Sequence, residues 1–203
     1  MPTPLTLAIE TSGPRGSIAL GRGDREILWQ QEFLTGPTAG GLLFVALDEC
    51  IRAEPPPVRI LVGVGPGSYA GVRMALAAAT GLGLALDLEP IAVPSVCAYD
   101  VSAPAFHAIG DARRGAFYYT AIAGNRCRRG PEILDEEALH ARLNSEREWP
   151  VFSVEPLTNF PTAQRAVATA VRLLQAAVEN PPRILEPIYL REPHITQPRV
   201  GVA

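Results

Sequence analysis

The stretch Val62-Gly63-Val64-Gly65-Pro66-Gly67-Ser68-Tyr69-Ala70-Gly71-Val72-Arg73 is where this sequence comes nearest to a recognisable chemistry. An apolar run enters a glycine-rich turn and a helical pattern leaves it. Gly65 and Gly67 admit backbone angles that are costly for other residues. Ser68 is placed to cap the helix. Free N–H groups at the helix start, together with its dipole, would suit an anion. The same glycines would equally serve a tight strand-to-helix turn with no ligand, and the lack of a phosphate-loop lysine favours that plainer reading.

The rest of the inventory mostly excludes. All 18 basic residues are arginine, so there is no phosphate-loop lysine, no Schiff-base lysine and no Ser-Lys dyad. His107, His140 and His194 form neither an HxxxH nor an HExxH pair, so no metal site is expected. No GxSxG elbow occurs. Cys50, Cys97 and Cys127 are odd in number and far apart without a CxxC pair, which argues against a disulfide framework or a zinc site. A net charge of -3 gives no electrostatic footprint for nucleic acid, although Arg126, Arg128 and Arg129 form a small basic cluster. The N-terminal Met1-Pro2-Thr3-Pro4 does not read as a signal peptide, and the apolar run Met74–Leu86 falls short of the about 20 residues a bilayer span needs. A soluble, cytoplasmic chain with no membrane partner is expected.

Periodicity supplies the elements that carry these residues. Leu5–Ile9, Ser17–Leu20 and Glu26–Phe33 read as three strands joined by turns, an antiparallel meander. Leu42–Arg52 has a helical apolar face and ends at Pro55-Pro56-Pro57. Val58–Val64 is a strand, Tyr69–Leu86 a helix, Ile91–Val93 a strand and Pro94-Ser95 the start of a helical turn. From Ala105 the character changes. Phe106–Ile109 and Ala116–Ile122 form a hairpin around Asp111-Ala112-Arg113-Arg114-Gly115, with a further strand at Arg126–Leu134. Asp135 caps a helix to Leu143, Pro150–Val154 is a strand, and Thr162 caps a helix that Pro181-Pro182 stops. Ile184–Leu190 is a last extended piece. The order of elements repeats, incompletely, in the second half. On the helix at 69–86, Gly71, Ala75, Ala79 and Gly83 recur every fourth residue and make a ridge of small side chains. Such a ridge admits a closely packed helix, either the chain's own Leu42–Arg52 or one from another chain.

Four motifs, in order along the chain, carry a family resemblance. Leu7-Ala8-Ile9-Glu10-Thr11-Ser12 with Ser17-Ile18-Ala19-Leu20 after it resembles the N-terminal hairpin of the TsaB (YeaZ) family. Gly65 to Arg73 resembles its GPGSFTGVR signature, Asp111-Ala112-Arg113-Arg114-Gly115 with Phe117-Tyr118 its DAR-x-GEVY hairpin, and Pro187-Ile188-Tyr189-Leu190-Arg191 its C-terminal PxYLR. The resemblance implies an α/β chain with an actin-like ATPase fold: two RNase H-like lobes of mixed sheets flanked by helices, the second lobe reduced. The lobes would be residues 1–104, carrying the partner-binding helices, and 105–203. It implies a non-catalytic subunit for threonylcarbamoylation of adenosine 37 in tRNA, acting by binding the catalytic subunit TsaD with the ATPase TsaE. tRNA would be reached through the complex, a homodimer would form in isolation, and ATP or ADP would bind, if at all, at a subunit interface. In actin-like and sugar-kinase proteins the first hairpin meets phosphates, which implies weak nucleotide contacts at Glu10, Thr11 and Ser12. The motif residues carried over are Gly65, Gly67, Ser68, Gly71 and Arg73 in the loop, and Asp111, Arg113 and Gly115 in the hairpin. The implied partner surface is Leu42, Leu43, Ala46, Gly71, Ala75, Ala79 and Gly83. The chain departs from the family at Glu10, where Asp is usual, and at Thr38-Ala39-Gly40-Gly41, where His-Ser is frequent. The alternatives are a stand-alone actin-like ATPase or small-molecule kinase and, behind it, a glycoprotease.

Overall fold

Alternation along Leu5-Thr6-Leu7-Ala8-Ile9 sends Leu5, Leu7 and Ile9 to one side of a sheet and Ala8 to the other, and this division organises the first half of the chain. A computed structural model describes residues 4–23, 26–36, 39–179 and 185–190, without the side chains of 177–179. Strands β1 (Leu5–Glu10), β2 (Arg15–Arg22), β3 (Glu26–Leu34), β4 (Arg59–Gly63) and β5 (Ile91–Val93) form a sheet in the order β3-β2-β1-β4-β5. β1 and β2 pair antiparallel with Leu7 opposite Leu20, while β1 and β4 pair parallel with Leu7 opposite Ile60. Helices α1 (Ala39–Ala53) and α2 (Tyr69–Leu86) cover the Leu7 face of this sheet.

The second half repeats the plan. Strands β6 (Ala105–Asp111), β7 (Ala116–Ala123), β8 (Arg126–Asp135), β9 (Val151–Ser153) and β10 (Gln164–Arg165) lie in the order β8-β7-β6-β9-β10, with the same parallel and antiparallel senses. Helix α3 (Glu136–Ser145) packs on the outer face of this sheet. Its cap is Asp135, as expected, whose Oδ1 accepts from Ala138 N–H at 2.8 Å. A 3-10 turn, Ser95–Ala98, joins the halves. Helix α4 (Ala170–Glu179) then returns to the Ala8 face of the first sheet, so one apolar layer includes Ala8, Leu61, Tyr118, Ile122 and Leu173 and binds both sheets.

One sequence expectation fails in the second half. Thr162 caps no helix: Gln164-Arg165 pair with β9, Ala168 bridges to Tyr99, and the helix starts only at Ala170. The cap is Thr169, whose Oγ1 accepts from Arg172 N–H at 3.2 Å. Ala166, spaced with Ala170 as on a helix, is instead buried with Ala168 in the layer between the sheets, so tertiary burial outweighs that spacing. With 18 residues and Arg73 as its one charge, α2 is long and apolar enough by length and composition alone to cross a bilayer, a test that core helices also pass, and seven of its residues are buried within the chain. Pro181-Pro182, Ile184, Arg191 and His194 lie outside the described residues.

Candidate functional site between the two sheets

The turn after β1 and the start of α2 are sewn together by one side-chain and one main-chain hydrogen bond. Thr11 Oγ1 donates to Gly71 O at 2.7 Å, and Ser68 N–H donates to Ser12 O at 2.7 Å. A Cβ on Gly71 would collide with Thr11 O, and one on Gly67 with Ser12 O. These two glycines are therefore required by close approach of main chains. Ser68 caps α2 by accepting from Gly71 N–H at 3.2 Å. Gly65, at φ +90°, makes the turn, its N–H donating to Ser95 Oγ at 3.0 Å. The helix start that could have held an anion is occupied by the chain's own serines.

Glu10 lies beneath this seam and is fully buried. Its Oε1 accepts from Ser12 N–H at 2.6 Å, and its Oε2 has no hydrogen-bond partner among the described residues. Gly63 leaves room for that oxygen, since a Cβ there would overlap it. Burial pushes the carboxyl above its ordinary range; contacts with Ser12, Ser95 and Thr11 offset this in part. Ser95 lies close to Glu10 and its Oγ accepts from Gly65 N–H, but it makes no well-formed hydrogen bond to Oε2. The carboxyl is sealed under the cleft, not exposed in it.

Above the seam a cleft of about 770 Å³ opens between the two sheets, within the size range of small-molecule sites. Ser12, Thr35, Ser68 and Tyr69 line it from the first half, and Asp111, Arg113, Tyr118, Glu155 and Arg165 from the second. Pro187 to Leu190 form a further wall, held by Ile188 N–H donating to Val64 O at 2.8 Å. Tyr189 packs on Tyr69 with ring centroids 5.4 Å apart. The Arg73 guanidinium lies over the Tyr69 ring and donates to its hydroxyl at 2.7 Å. Beneath the cleft the Tyr99 and Tyr118 hydroxyls are 3.1 Å apart, and burial pushes Tyr118 up to about 12.

The hairpin at 111–115 clamps itself. Asp111 accepts from Arg113 N–H at 2.6 Å and from Arg113 Nη1 at 3.1 Å, while Asp111 N–H donates to Glu155 Oε1 at 2.7 Å. The structure thus brings Ser12, Ser68, Asp111 and Arg113 to one cleft, with Gly67 in its lining. Thr11 is buried beside it, and Gly115 lines a smaller neighbouring hollow. Glu155 and Arg165 carry no motif, and only the parallel pairing of β9 places them here.

The expected partner surface needs correction. Leu43, Ala46, Gly71, Ala75, Ala79 and Gly83 are buried in the chain's own core, because the small-residue ridge faces the first sheet. Gly83 is further fixed by its approach to Leu88 O and Pro90 beyond the helix end. Of that set only Leu42 is exposed. Apart from Tyr69, which lines the cleft, the large exposed apolar residues of these helices are Leu42, Phe44, Val45 and Ile51 on α1 and Leu84 on α2, with Phe44 58% and Leu84 82% exposed.

Among known proteins, a family model described as "TsaD: tRNA N6-adenosine threonylcarbamoyltransferase" matches residues 46–148. A crystallised uncharacterized protein with similarity to peptidase YEAZ, from Pseudomonas aeruginosa, superposes with a TM-score of 0.73 at 21% identity, covering 93% of this chain and 100% of the other. YeaZ from Pseudomonas aeruginosa superposes with a TM-score of 0.66 at 22% identity over 87% of this chain and 91% of its own. The ethanolamine utilization protein EutJ from Carboxydothermus hydrogenoformans gives 0.50 at 10% identity over 87% and 90%. These likenesses are ones of fold, an actin-like arrangement of two mixed sheets. No curated protein matches in sequence.

Proposed function

We propose, for a chain that belongs to the TsaD tRNA N6-adenosine threonylcarbamoyltransferase family and has the YeaZ (TsaB) form of the actin-like fold, that it is a non-catalytic subunit of tRNA threonylcarbamoylation. It acts on adenosine 37 indirectly, by docking on the catalytic subunit TsaD, with TsaE as the ATPase of the assembly. The observation that carries this reading is the outward face of α1 and α2. Leu42, Phe44, Val45, Ile51 and Leu84 stand exposed on neighbouring helices that pack on one face of the first sheet. Apolar side chains gathered in this way mark an interaction surface. The sealed position of Glu10 supports the non-catalytic role, since the residue that would serve a bound nucleotide does not reach the cleft. The work takes place in the cytoplasm, the chain self-associates through the same face when alone, and any ATP or ADP sits at the interface with TsaD.

The test is co-purification with the TsaD of the same organism, sized by light scattering with and without ATP. A stable one-to-one complex is expected, and Phe44→Asp should weaken it about 30-fold or more while leaving the melting temperature within about 2 °C. A homodimer that persists in the presence of TsaD would sink the reading. The second reading, a stand-alone ATPase or small-molecule kinase, draws on the cleft of about 770 Å³. ATP turnover by the isolated chain that Asp111→Ala abolishes would favour it.

A further inference from the structure

Cys97 and Cys127 are 30 positions apart in sequence, yet their sulfurs lie 3.3 Å from each other. Both are thiols; Cys97 is buried in the 3-10 turn between the halves and Cys127 is half-buried on β8. A disulfide needs a separation of about 2.05 Å, so closure requires about 1.3 Å of movement, within reach of side-chain rotation. The β7–β8 pairing shifts register beside this position, between Ala121 and Ile122, and Cys127 lies opposite Ile122. A bulge of this kind re-aims side chains. Cys127 accordingly packs against the layer that holds Cys97.

We infer that Cys97 and Cys127 are a redox-modification site, closing to a reversible intramolecular disulfide on exposure to a peroxide. The Cys127 thiolate, the more accessible of the two, attacks one peroxide oxygen and the O–O bond breaks, leaving a sulfenic acid and releasing water after protonation. The Cys97 sulfur then attacks the Cys127 sulfur, the S–O bond breaks, and a second water leaves with the Cys97 proton. Two thiols lose one electron each and one peroxide gains two. A small thiol reverses the bond by exchange.

The position gives the bond a mechanical consequence. In the same short turn Ser95 N–H donates to Gly65 O at 2.8 Å, Ser95 Oγ accepts from Gly65 N–H, and Ala98 O accepts from Thr169 N–H at 3.0 Å, at the cap of α4. A disulfide would fasten this junction, which already ties the Gly65 turn to α4, to the edge strand of the second sheet. Cys50 supplies an internal contrast. Burial, with Glu54 nearby, pushes its thiol up to about 11, so it stays protonated and inert.

Full-length protein treated with hydrogen peroxide should fall from three titratable thiols to one, counted after denaturation, and become lighter by two hydrogens. A tryptic digest should show the dipeptide Cys127-Arg128 bridged to the peptide Met74–Arg113. The melting temperature should rise by about 5–10 °C and return with dithiothreitol. Cys50→Ser should behave like the parent, and Cys127→Ser should not lose thiols in pairs. A sulfinic acid on Cys127 with Cys97 still titratable, or a bond between chains, would overturn the inference. Should Cys127→Ser fail to fold, the peptide map of Cys50→Ser decides the question alone.

Discussion

The two sheets share one strand order and one set of strand senses, but they treat the turn after their first strand in opposite ways. In the first half that turn comes after Glu10 and lies under the start of α2, with its acid buried and its main chain in contact with Gly67 and Gly71. In the second half it comes after Asp111 and stands at the cleft, with its acid turned onto the Arg113 of its own hairpin. The difference traces to the segment beyond each fourth strand. After β4 comes the 18-residue α2, which caps the first turn; after β9 the chain passes through 154–163 to β10 without a helix. A repeated fold has become one half that is packed shut, with helices free to face outward, and one half that keeps polar groups at the cleft.

The heaviest loss should come from disturbing that packing. Gly71→Val would place a side chain where Thr11 O now sits, and we expect a loss of about 3 kcal/mol or more, or failure to fold. Gly115→Ala, at φ +71° with open space around its Cβ, should cost only about 1 kcal/mol. Urea melts of the two variants compare the halves directly. Equal losses would mean that the first turn is no more tightly held than the second. Ala79→Arg belongs with the large losses, because the ridge it interrupts is buried in the core.

Glu10 offers a second comparison, read through pH. Burial raises its folded pKa above the ordinary 4.5. Between that ordinary value and the raised one, the folded chain holds a proton that the unfolded chain has released. Stability therefore falls as pH climbs through that window and levels off above it. Glu10→Gln keeps an oxygen for Ser12 N–H and removes the ionisation. It should be more stable than the parent above the window and nearly equal to it below 4.5. Thermal melts across pH check this, and a variant that loses stability at high pH as steeply as the parent would show that Glu10 is not the responsible group.

Much of this architecture was legible in the residues. The extents of α2 and β5, the Asp135 cap and the hairpin at 111–115 come from local pattern, where neighbouring residues decide the outcome. What failed was decided at long range. Ala166 and Val167 are spaced with Ala170 and Val171 as on a helix, but Ala166 is claimed by the layer between the sheets. The Gly71–Gly83 ridge shows its small residues in sequence, but only the sheet beneath α2 settles which way they face. Glu155 meets Asp111 across 44 positions and Cys97 meets Cys127 across 30, and no motif announces either pair. The site was thus half legible: its turns were, and the partners that the second sheet brings to them were not.

A slighter change probes why the second turn keeps its shape. Arg113, Arg114 and Gly115 all have positive φ, at 67°, 58° and 71°. The two arginines occupy a region that costs a side chain roughly 1–2 kcal/mol. Asp111 compensates Arg113 by accepting from both its N–H and its guanidinium, an arrangement in which an aspartate stabilises the turn two residues on. Glycine at 114 would relieve the steric cost but add freedom to the unfolded chain. The net expected for Arg114→Gly is a gain of about 0.5–1 kcal/mol, seen as a higher urea midpoint at unchanged slope. No gain would mean that the Arg114 side chain itself contributes to holding the hairpin. A gain accompanied by weaker binding of TsaD or tRNA to the assembled complex would mean that the backbone strain is kept so that a guanidinium can project from this turn.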